Sequence, residues 1–198
     1  MTTSAINVQE MIAASPRVAG SILHAPVGTA APTDATSALD AAFVDLGYAN
    51  EDGVDFGEDR TVTDVYAWGG DEVANLQEKY GRTVKFKLLQ FLNSDVLEAV
   101  YKAANVTTTP ADADNGTRQA VLLNAKILDT WAWVIDGYYN TADVRWYFPI
   151  GRVTNIGDLK MSNKALSMFD VTLKVFPDSV KNHGYLYTDD GVTTLGGS

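Results

Sequence analysis

The sequence feature that most restricts the fold is a two-residue alternation of apolar and charged side chains. Val84, Phe86 and Leu88 alternate with Lys85 and Lys87. Successive side chains of a β-strand point to opposite faces of the sheet, so this order gives one apolar face and one charged face. Antiparallel sheets that cover a core on one side commonly show this pattern. The segment therefore predicts a strand with one buried and one solvated face.

Further segments are rich in β-branched and aromatic residues and end at turn residues, which is typical of strands. They are residues 17–25, 60–68, 118–128, 130–140, 144–156 and 165–176. In the last of these, Phe169, Val171, Leu173 and Val175 again alternate with polar residues. Six or seven strands without a strand–helix–strand rhythm favour an antiparallel, mainly β protein.

One helix is predicted at residues 95–104. Asn93 and Asp95 are good N-cap residues, and the apolar stripe that follows has helical spacing. A weaker helical pattern of one or two turns begins at Ser37 and ends before Gly47. The expected fold is a β-sandwich with one flanking α-helix. We expect a single domain, residues 1–198, with a loose N-terminal arm at about 1–16 and a loose C-terminal end at about 179–198.

An acidic segment at residues 50–59 lies between two strand patterns. Its carboxylates are Glu51, Asp52, Asp55, Glu58 and Asp59, placed around Gly53 and Gly57. This composition predicts a long acidic loop in solvent or against a partner. A caged hard cation is the alternative, although the segment lacks the ligand order of a helix-flanked calcium loop.

Charge and composition exclude several classes of protein. The chain has 25 acidic and 15 basic side chains, a net charge of −10, and no cysteine. Disulfide frameworks, thiolate zinc sites, iron–sulfur clusters and cysteine nucleophiles are thereby excluded. The acidic balance argues against tight binding of nucleic acid, which depends on Lys and Arg. Apolar stretches stay far below the roughly 20 residues of a membrane helix, and the N-terminus does not resemble a secretion signal.

Motifs for catalysis are not visible. His24 and His183 are far apart in sequence, and neither a nucleophile elbow nor a phosphate-binding glycine loop occurs. We therefore expect no enzyme activity, no cofactor and no metal. An aromatic cluster raises the alternative of a carbohydrate- or base-stacking platform, but a core and subunit interface is favoured because few basic residues accompany it. Its members are Trp131, Trp133, Tyr138, Tyr139, Trp146, Tyr147 and Phe148.

The order of several segments resembles a known family. These are the run Leu39-Asp-Ala-Ala-Phe-Val-Asp-Leu-Gly-Tyr-Ala-Asn-Glu-Asp-Gly-Val54, the strand pattern at 61–68, and the segments 130–137, 146–154 and 169–178. Together they resemble the major tail proteins of bacteriophages with long, non-contractile tails, particularly phages that infect actinobacteria. The resemblance covers about residues 21–178.

This resemblance implies a structural virion protein. Such subunits form rings, usually of six copies, that stack into a hollow tube for genome delivery. The implied partners are other copies of the chain, the tape measure, terminator and tip proteins, and DNA that passes without specific binding. The resemblance also implies location in the virion tail and assembly in the host cytoplasm, and does not imply a membrane.

In this chain the resemblance implies a long inter-ring loop at about residues 49–81, which includes the five carboxylates. It also implies the helix at 95–104. We expect a net-negative inner wall, and we expect removal of residues 50–59 to prevent stacking without unfolding the subunit. Alternatives are another virion β-sandwich, such as a tail terminator or a decoration protein, or a carbohydrate-binding module.

Overall fold

A computed structural model describes residues 12–16 and 21–193. The strands are β1 Ser15–Pro16, β2 Ile22–Pro26, β3 Val44–Asp45, β4 Ala49–Tyr66, β5 Glu72–Leu88, β6 Val106–Thr109, β7 Arg118–Val121, β8 Thr130–Tyr139, β9 Ala142–Ile156, β10 Phe169–Phe176 and β11 Tyr185–Asp189. The helix α1 spans Ser94–Tyr101 and is followed by a 3-10 turn at Ala103–Asn105. The mainly β prediction with one α-helix is confirmed for the described residues.

Nine of the strands form one antiparallel sheet. Its order is β3-β2-β8-β9-β10-β5-β4, with β1 paired to β8 and β11 paired to β9. Strand β9 is central, because its first half pairs with β11 and its second half pairs with β10 along the same edge. Strands β6 and β7 form a separate two-stranded sheet.

The large sheet curls over itself, so that distant strands face one another. Phe86 on β5 lies with its ring centroid 5.8 Å from that of Trp133 on β8. Phe56 on β4 stacks on Trp146 of β9 at 4.5 Å. Neither pair joins neighbouring strands, so both contacts cross between two layers. The fold is thus the β-sandwich that the alternating patterns predict.

The main core lies between these layers. The alternation in β10 holds, because Phe169, Val171, Leu173 and Val175 are buried and the residues between them are not. The other face of β8 is also covered, because a smaller apolar cluster packs there beneath the segment that follows β2. This cluster contains Ala25, Phe43, Ala132, Val134 and Tyr147. Strand β8 is therefore buried on both faces.

Helix α1 closes one end of the core. Oδ1 of Asn93 accepts a hydrogen bond from the backbone N–H of Asp95 at 2.9 Å, as expected of an N-cap. The helix ends at Tyr101, three residues earlier than predicted, because Lys102 has φ of 79°. Tyr101 packs edge-on against Phe169, and this contact anchors the helix to β10.

The prediction of a long acidic loop is wrong. Residues 50–59 lie within β4, and β4 and β5 form one long hairpin instead of a loop at 49–81. The physical reason is pairing across the hairpin, since Asp55 lies opposite Lys85 and Glu58 opposite Arg82. A carboxylate-rich segment becomes a stable strand when basic residues on a neighbour offset its charge, and a local pattern does not reveal that neighbour.

Three smaller predictions also need correction. The helical pattern at 37–46 forms turns and the short strand β3, because Asp40 and Asp45 accept backbone hydrogen bonds two residues ahead. The strand predicted at 118–128 ends at Val121. The predicted strand at 17–25 begins at Ile22, and residues 17–20 lie outside the described residues.

The chain ends are partly ordered. β11 lies within the end predicted as loose at 179–198, and it pairs with β9 over five residues. Most of the predicted N-terminal arm at 1–16 lies outside the described residues, but Ser15 and Pro16 pair with Tyr138 and Gly137. Residues 194–198 also lie outside the described part of the chain.

Candidate functional site

The distal part of the β4–β5 hairpin extends away from the sandwich. We call residues 60–79 the arm. Every residue of the arm is exposed, so neither of its faces is covered by the rest of the described chain. The turn at its tip is closed by hydrogen bonds between Ala67 and Asp71 and between Gly70 and Ala67, each 2.8 Å long. At about 3.4 Å per residue, the seven residues 60–66 alone reach roughly 24 Å.

The arm carries apolar side chains that nothing in the described chain covers. They are Val62, Val65, Tyr66, Trp68, Val73 and Leu76. Trp68, at the tip, is fully exposed. The register places Val62 and Tyr66 on one face of the arm and Val65 and Leu76 on the other, so both faces present apolar side chains to solvent. An uncovered hairpin of this kind favours association with another chain.

The arm is twisted, and it lies at an edge of the sheet. The β4–β5 register shifts between Thr61 and Val62 and again between Val65 and Tyr66, as in β-bulges. Bulges increase the local twist of a strand pair. Strand β4 ends the order of the large sheet, and no strand among residues 12–16 and 21–193 pairs with its outer edge, which can therefore accept a strand from another chain.

The five predicted carboxylates lie near the base of the arm but do not form one cluster. Glu51 and Asp52 belong to a four-residue bulge, residues 50–53, opposite Lys87. Asp55 and Asp59 follow on the outer face of β4. Glu58 lies on the opposite face, which it shares with Phe56 and Arg60, as strand alternation requires.

Two of these carboxylates have basic partners. Oδ2 of Asp52 accepts a hydrogen bond from Nζ of Lys87 at 2.5 Å, which holds the pKa of Asp52 below its ordinary value and raises that of Lys87. Glu58 accepts from Nε of Arg60 at 2.6 Å, and this contact lowers the pKa of Glu58. Both pairs are solvent-exposed, so they orient the strands more than they stabilise the fold.

A comparison with protein families decides what kind of protein carries this arm. A family model described as phage tail tube protein matches residues 4–194, nearly the whole chain. The chain belongs to the phage tail tube protein family. A search of curated proteins finds no match. The resemblance to phage tail tube proteins is confirmed, and the tail tube protein is a structural component of the virion tail.

The tail tube protein has a second apolar surface beside α1. A groove of about 530 Å³ lies between α1 and the β6–β7 sheet, with Phe91, Leu97 and Val121 in its lining. Leu92 and Leu123, at its rim, are 81% and 76% exposed. Sequence patterns did not identify this groove, since its walls come from three separate segments.

The aromatic cluster of the tail tube protein is largely core. Trp133, Tyr147 and Phe148 are buried, whereas Tyr138 and Tyr139 are partly exposed at the end of β8. Trp146 stacks on Phe56 at 4.5 Å, and the guanidinium of Arg82 lies 5.1 Å from its ring, so Trp146 packs within the sandwich. These positions confirm the core interpretation for the buried residues.

The two histidines pack against different aromatic rings. His24 is buried on β2 with its ring 4.6 Å from that of Trp131, and burial lowers its pKa to about 4. His183 lies in the segment before β11, edge-on to Tyr80. Within the described ranges, no group of three or more His, Asp or Glu residues could hold a metal ion. The helix of the described chain is too short to cross a membrane.

Proposed function

We propose that this tail tube protein forms closed rings of six copies that stack into the tube through which the genome leaves the capsid. The observation that carries the proposal is the arm, an exposed hairpin with an uncovered tryptophan at its tip. The arm replaces the predicted loop as the element that reaches the next ring. The five carboxylates at its base lie beside that contact.

Burial of the arm against a second subunit is energetically favourable. An isolated two-stranded hairpin is marginally stable in water at best. Full burial of a large apolar side chain contributes about 1.5–3 kcal/mol, and the arm presents six such side chains to solvent. A second subunit that covers them gains this contribution and fixes the arm.

Lateral sheet pairing closes the ring in our proposal. Within the described part of the chain, no strand pairs with the outer edge of β4, and at the opposite edge of the sheet β3 pairs with β2 only at Leu23 and His24. Two free edges on one subunit allow a head-to-tail contact that is repeated around a ring. Ring closure removes the exposed edges that otherwise promote aggregation.

The acidic balance of the chain suits a conduit for DNA. Six copies, each with a net charge of −10, carry a net charge of about −60, and repulsion from phosphates keeps DNA from adhering. The outer face of β5 and β10 has mixed charge, with Lys85, Lys87 and Lys174 beside Asp55 and Asp170. We propose a net-negative inner wall. A solved tube whose inner wall is neutral or positive would overturn this part of the proposal.

The remaining partners follow from a place in the tail. We propose that the tube surrounds a tape measure protein, meets a terminator and a tip protein at its ends, and assembles in the host cytoplasm. Co-purification of these proteins with tubes from infected cells tests this arrangement. Recovery of the chain on capsids without tubes would instead favour a decoration protein.

Electron microscopy of the purified chain tests the central proposal. We expect six-fold rings and stacked tubes that lengthen with protein concentration. Single rings that never stack would favour a tail terminator. Monomers that persist at high concentration would contradict self-assembly. A titration of glycans against tryptophan fluorescence addresses the carbohydrate-binding alternative, for which we expect no quenching.

A further inference from the structure

A basic cleft lies at the base of the arm of this acidic protein. It has a volume of about 440 Å³ and opens between the hairpin and the segment that precedes β11. Arg60 and Arg82 line it from the hairpin, and Lys181 and His183 line it from the other side. Among the described residues that line the cleft, none is acidic. Three permanent cations thus converge in a chain whose net charge is −10.

The cations of the cleft are only partly neutralised by nearby carboxylates. Glu58 bonds Arg60, but it lies 3.9 Å from Nη1 of Arg82, beyond hydrogen-bond distance. Asp178 is the other neighbouring acid, and its Oδ2 accepts from the hydroxyl of Tyr185 at 2.6 Å. The guanidinium of Arg82 lies 5.1 Å from the ring of Trp146 and its Nε is buried, so the Nη groups are the donors that an incoming carboxylate can reach.

The opposite charge lies at the other end of β11. This strand leaves the cleft after Gly184 and ends at Asp189, about 17 Å away at 3.4 Å per residue. Asp190 follows directly, and Asp143 lies opposite Asp189 in the register with β9. Asp189 and Asp190 are both solvent-exposed, so their carboxylates can meet cations of another subunit.

We propose that the basic cleft binds the acidic end of β11, Asp189 and Asp190, from a second copy of the chain. The inference rests on the proposed self-assembly and names one contact within it. The two ends of β11 are too far apart to meet within one subunit but are complementary between subunits. Such a contact is head-to-tail, which is the type that builds rings and stacks. Phosphates could also bind a basic cleft, but the acidic surface of the subunit repels DNA.

Charge reversal on exposed residues tests the contact. Lys181→Glu reverses one charge of the cleft, and Asp190→Lys reverses one charge at the acidic end of β11. Both side chains are exposed. We expect each single variant to weaken association about tenfold or more, as truncation or reversal of a charge at an interface does. The double variant restores a complementary pair, so its association should recover. Sedimentation velocity at low salt measures the association constants.

Matched controls separate this contact from the effect of net charge. Lys164→Glu and Asp114→Lys make the same charge changes at exposed positions away from the cleft and from β11. Both should associate like the parent chain. Near-ultraviolet circular dichroism checks the fold of each variant, and Lys181→Gln with Asp190→Asn provides a milder pair. Association should also weaken between 0.15 M and 1 M salt, where the screening length falls from about 8 Å to about 3 Å.

The outcomes distinguish this inference from the proposed function. The contact is overturned if the parent chain assembles and Lys181→Glu assembles as well as the control Lys164→Glu. The proposed function then remains intact. Failure of the double variant to recover also overturns it. A parent chain that stays monomeric removes the proposed function and this inference with it. A labelled single-stranded oligonucleotide tests the alternative ligand. If the parent chain binds it and Lys181→Glu does not, the cleft binds phosphate and the protein contact is overturned.

Discussion

Arg145 and Asp136 form a buried ion pair with two parallel hydrogen bonds. Nε of Arg145 lies 2.7 Å from Oδ1 of Asp136, and Nη2 lies 2.9 Å from Oδ2. The remaining Nη1 donates to the backbone carbonyls of Asp34 and Ser37. One side chain on β9 therefore holds β8 and also fixes the segment between β2 and β3, which covers the smaller apolar cluster.

Arg145→Met should destabilise the subunit by about 3–5 kcal/mol, because it leaves the carboxylate of Asp136 buried without its cation. Urea unfolding measures the change. The double variant Arg145→Met with Asp136→Leu should recover part of the loss, since both charges are then gone. A single variant within 1 kcal/mol of the parent, on the scale of exposed ion pairs, would contradict the structural role assigned to the pair.

The stability of the subunit should fall as the pH is lowered through the range in which His24 titrates. Burial lowers the pKa of His24 from 6.5 to about 4, so the unfolded chain binds its proton more readily than the folded one. Stability is therefore lost as the pH falls below 6.5, and the loss is complete below about 4. Between pH 7.5 and pH 5 the expected loss is about 2 kcal/mol.

His24→Phe provides the control for this titration. It keeps an aromatic ring against Trp131 and removes the titratable group. Carboxylates ordinarily titrate near pH 4, so they contribute little between pH 7.5 and pH 5. Denaturant unfolding at both pH values should show a smaller loss for the variant than for the parent. Equal losses in the two proteins would assign the pH dependence to other groups.

Gly151→Ala should destabilise the sandwich by overpacking. A Cβ atom at this position of β9 would lie 2.7 Å from Cδ1 of Trp133 and 3.1 Å from Cδ1 of Leu173. Extra methyl groups in a filled core cost about 1–3 kcal/mol. Thermal unfolding followed by tryptophan fluorescence measures this loss. Gly116→Ala is the matched control, since nothing lies within 4 Å of a Cβ there; an equal loss in both variants would refute the packing argument.

Shortening the arm should abolish stacking and leave the subunit folded. Replacement of residues 62–78 by Asn-Gly closes a two-residue hairpin on the pair Thr61 and Lys79. The core contacts of Phe56 are kept, whereas the deletion of residues 50–59 expected from the sequence would remove them. Electron microscopy and circular dichroism give the two readouts. Tubes of normal length from the shortened chain would contradict the role of the arm.

Two exposed substitutions refine the same prediction. Tyr66→Ser and Trp68→Ser remove apolar side chains from the arm without altering its length, and both positions are solvent-exposed. We expect shorter or fewer tubes from each variant and unchanged thermal unfolding of the subunit. Leu166→Ser is the matched control, because Leu166 is 72% exposed but belongs neither to the arm nor to the basic cleft. Equal loss of tubes in all three variants would point to a general surface effect.

Much of the sandwich could be predicted from local patterns. The alternation around Phe86 and Leu173 identified β5 and β10, and the aromatic segments identified β8 and β9. The capping residue Asn93 located the start of α1 to within one residue. Alternation reports burial of one face, which is a local property of a strand. It does not report which strand lies alongside.

The candidate site could be predicted less well. The acidic residues near Asp55 were recognised as unusual, but their pairing with Lys85 and Lys87 was not, so a strand was interpreted as a loop. Lys181 and Arg60 gave no signal in the sequence, because the cleft joins two segments that are far apart in the chain. β11 was missed because its pattern is short and half exposed.

The sequence by itself determined the β-rich fold, the acidic balance, the absence of cysteine chemistry and, through the order of its segments, the tail tube family. These properties follow from composition and from periods of a few residues. Only the tertiary structure decided that the acidic segment is a strand, that the arm projects, and that Arg145 reaches the carbonyl of Asp34, 111 residues away. Pairings of that kind depend on how the sheet curls, because the curl brings together side chains that no local pattern relates.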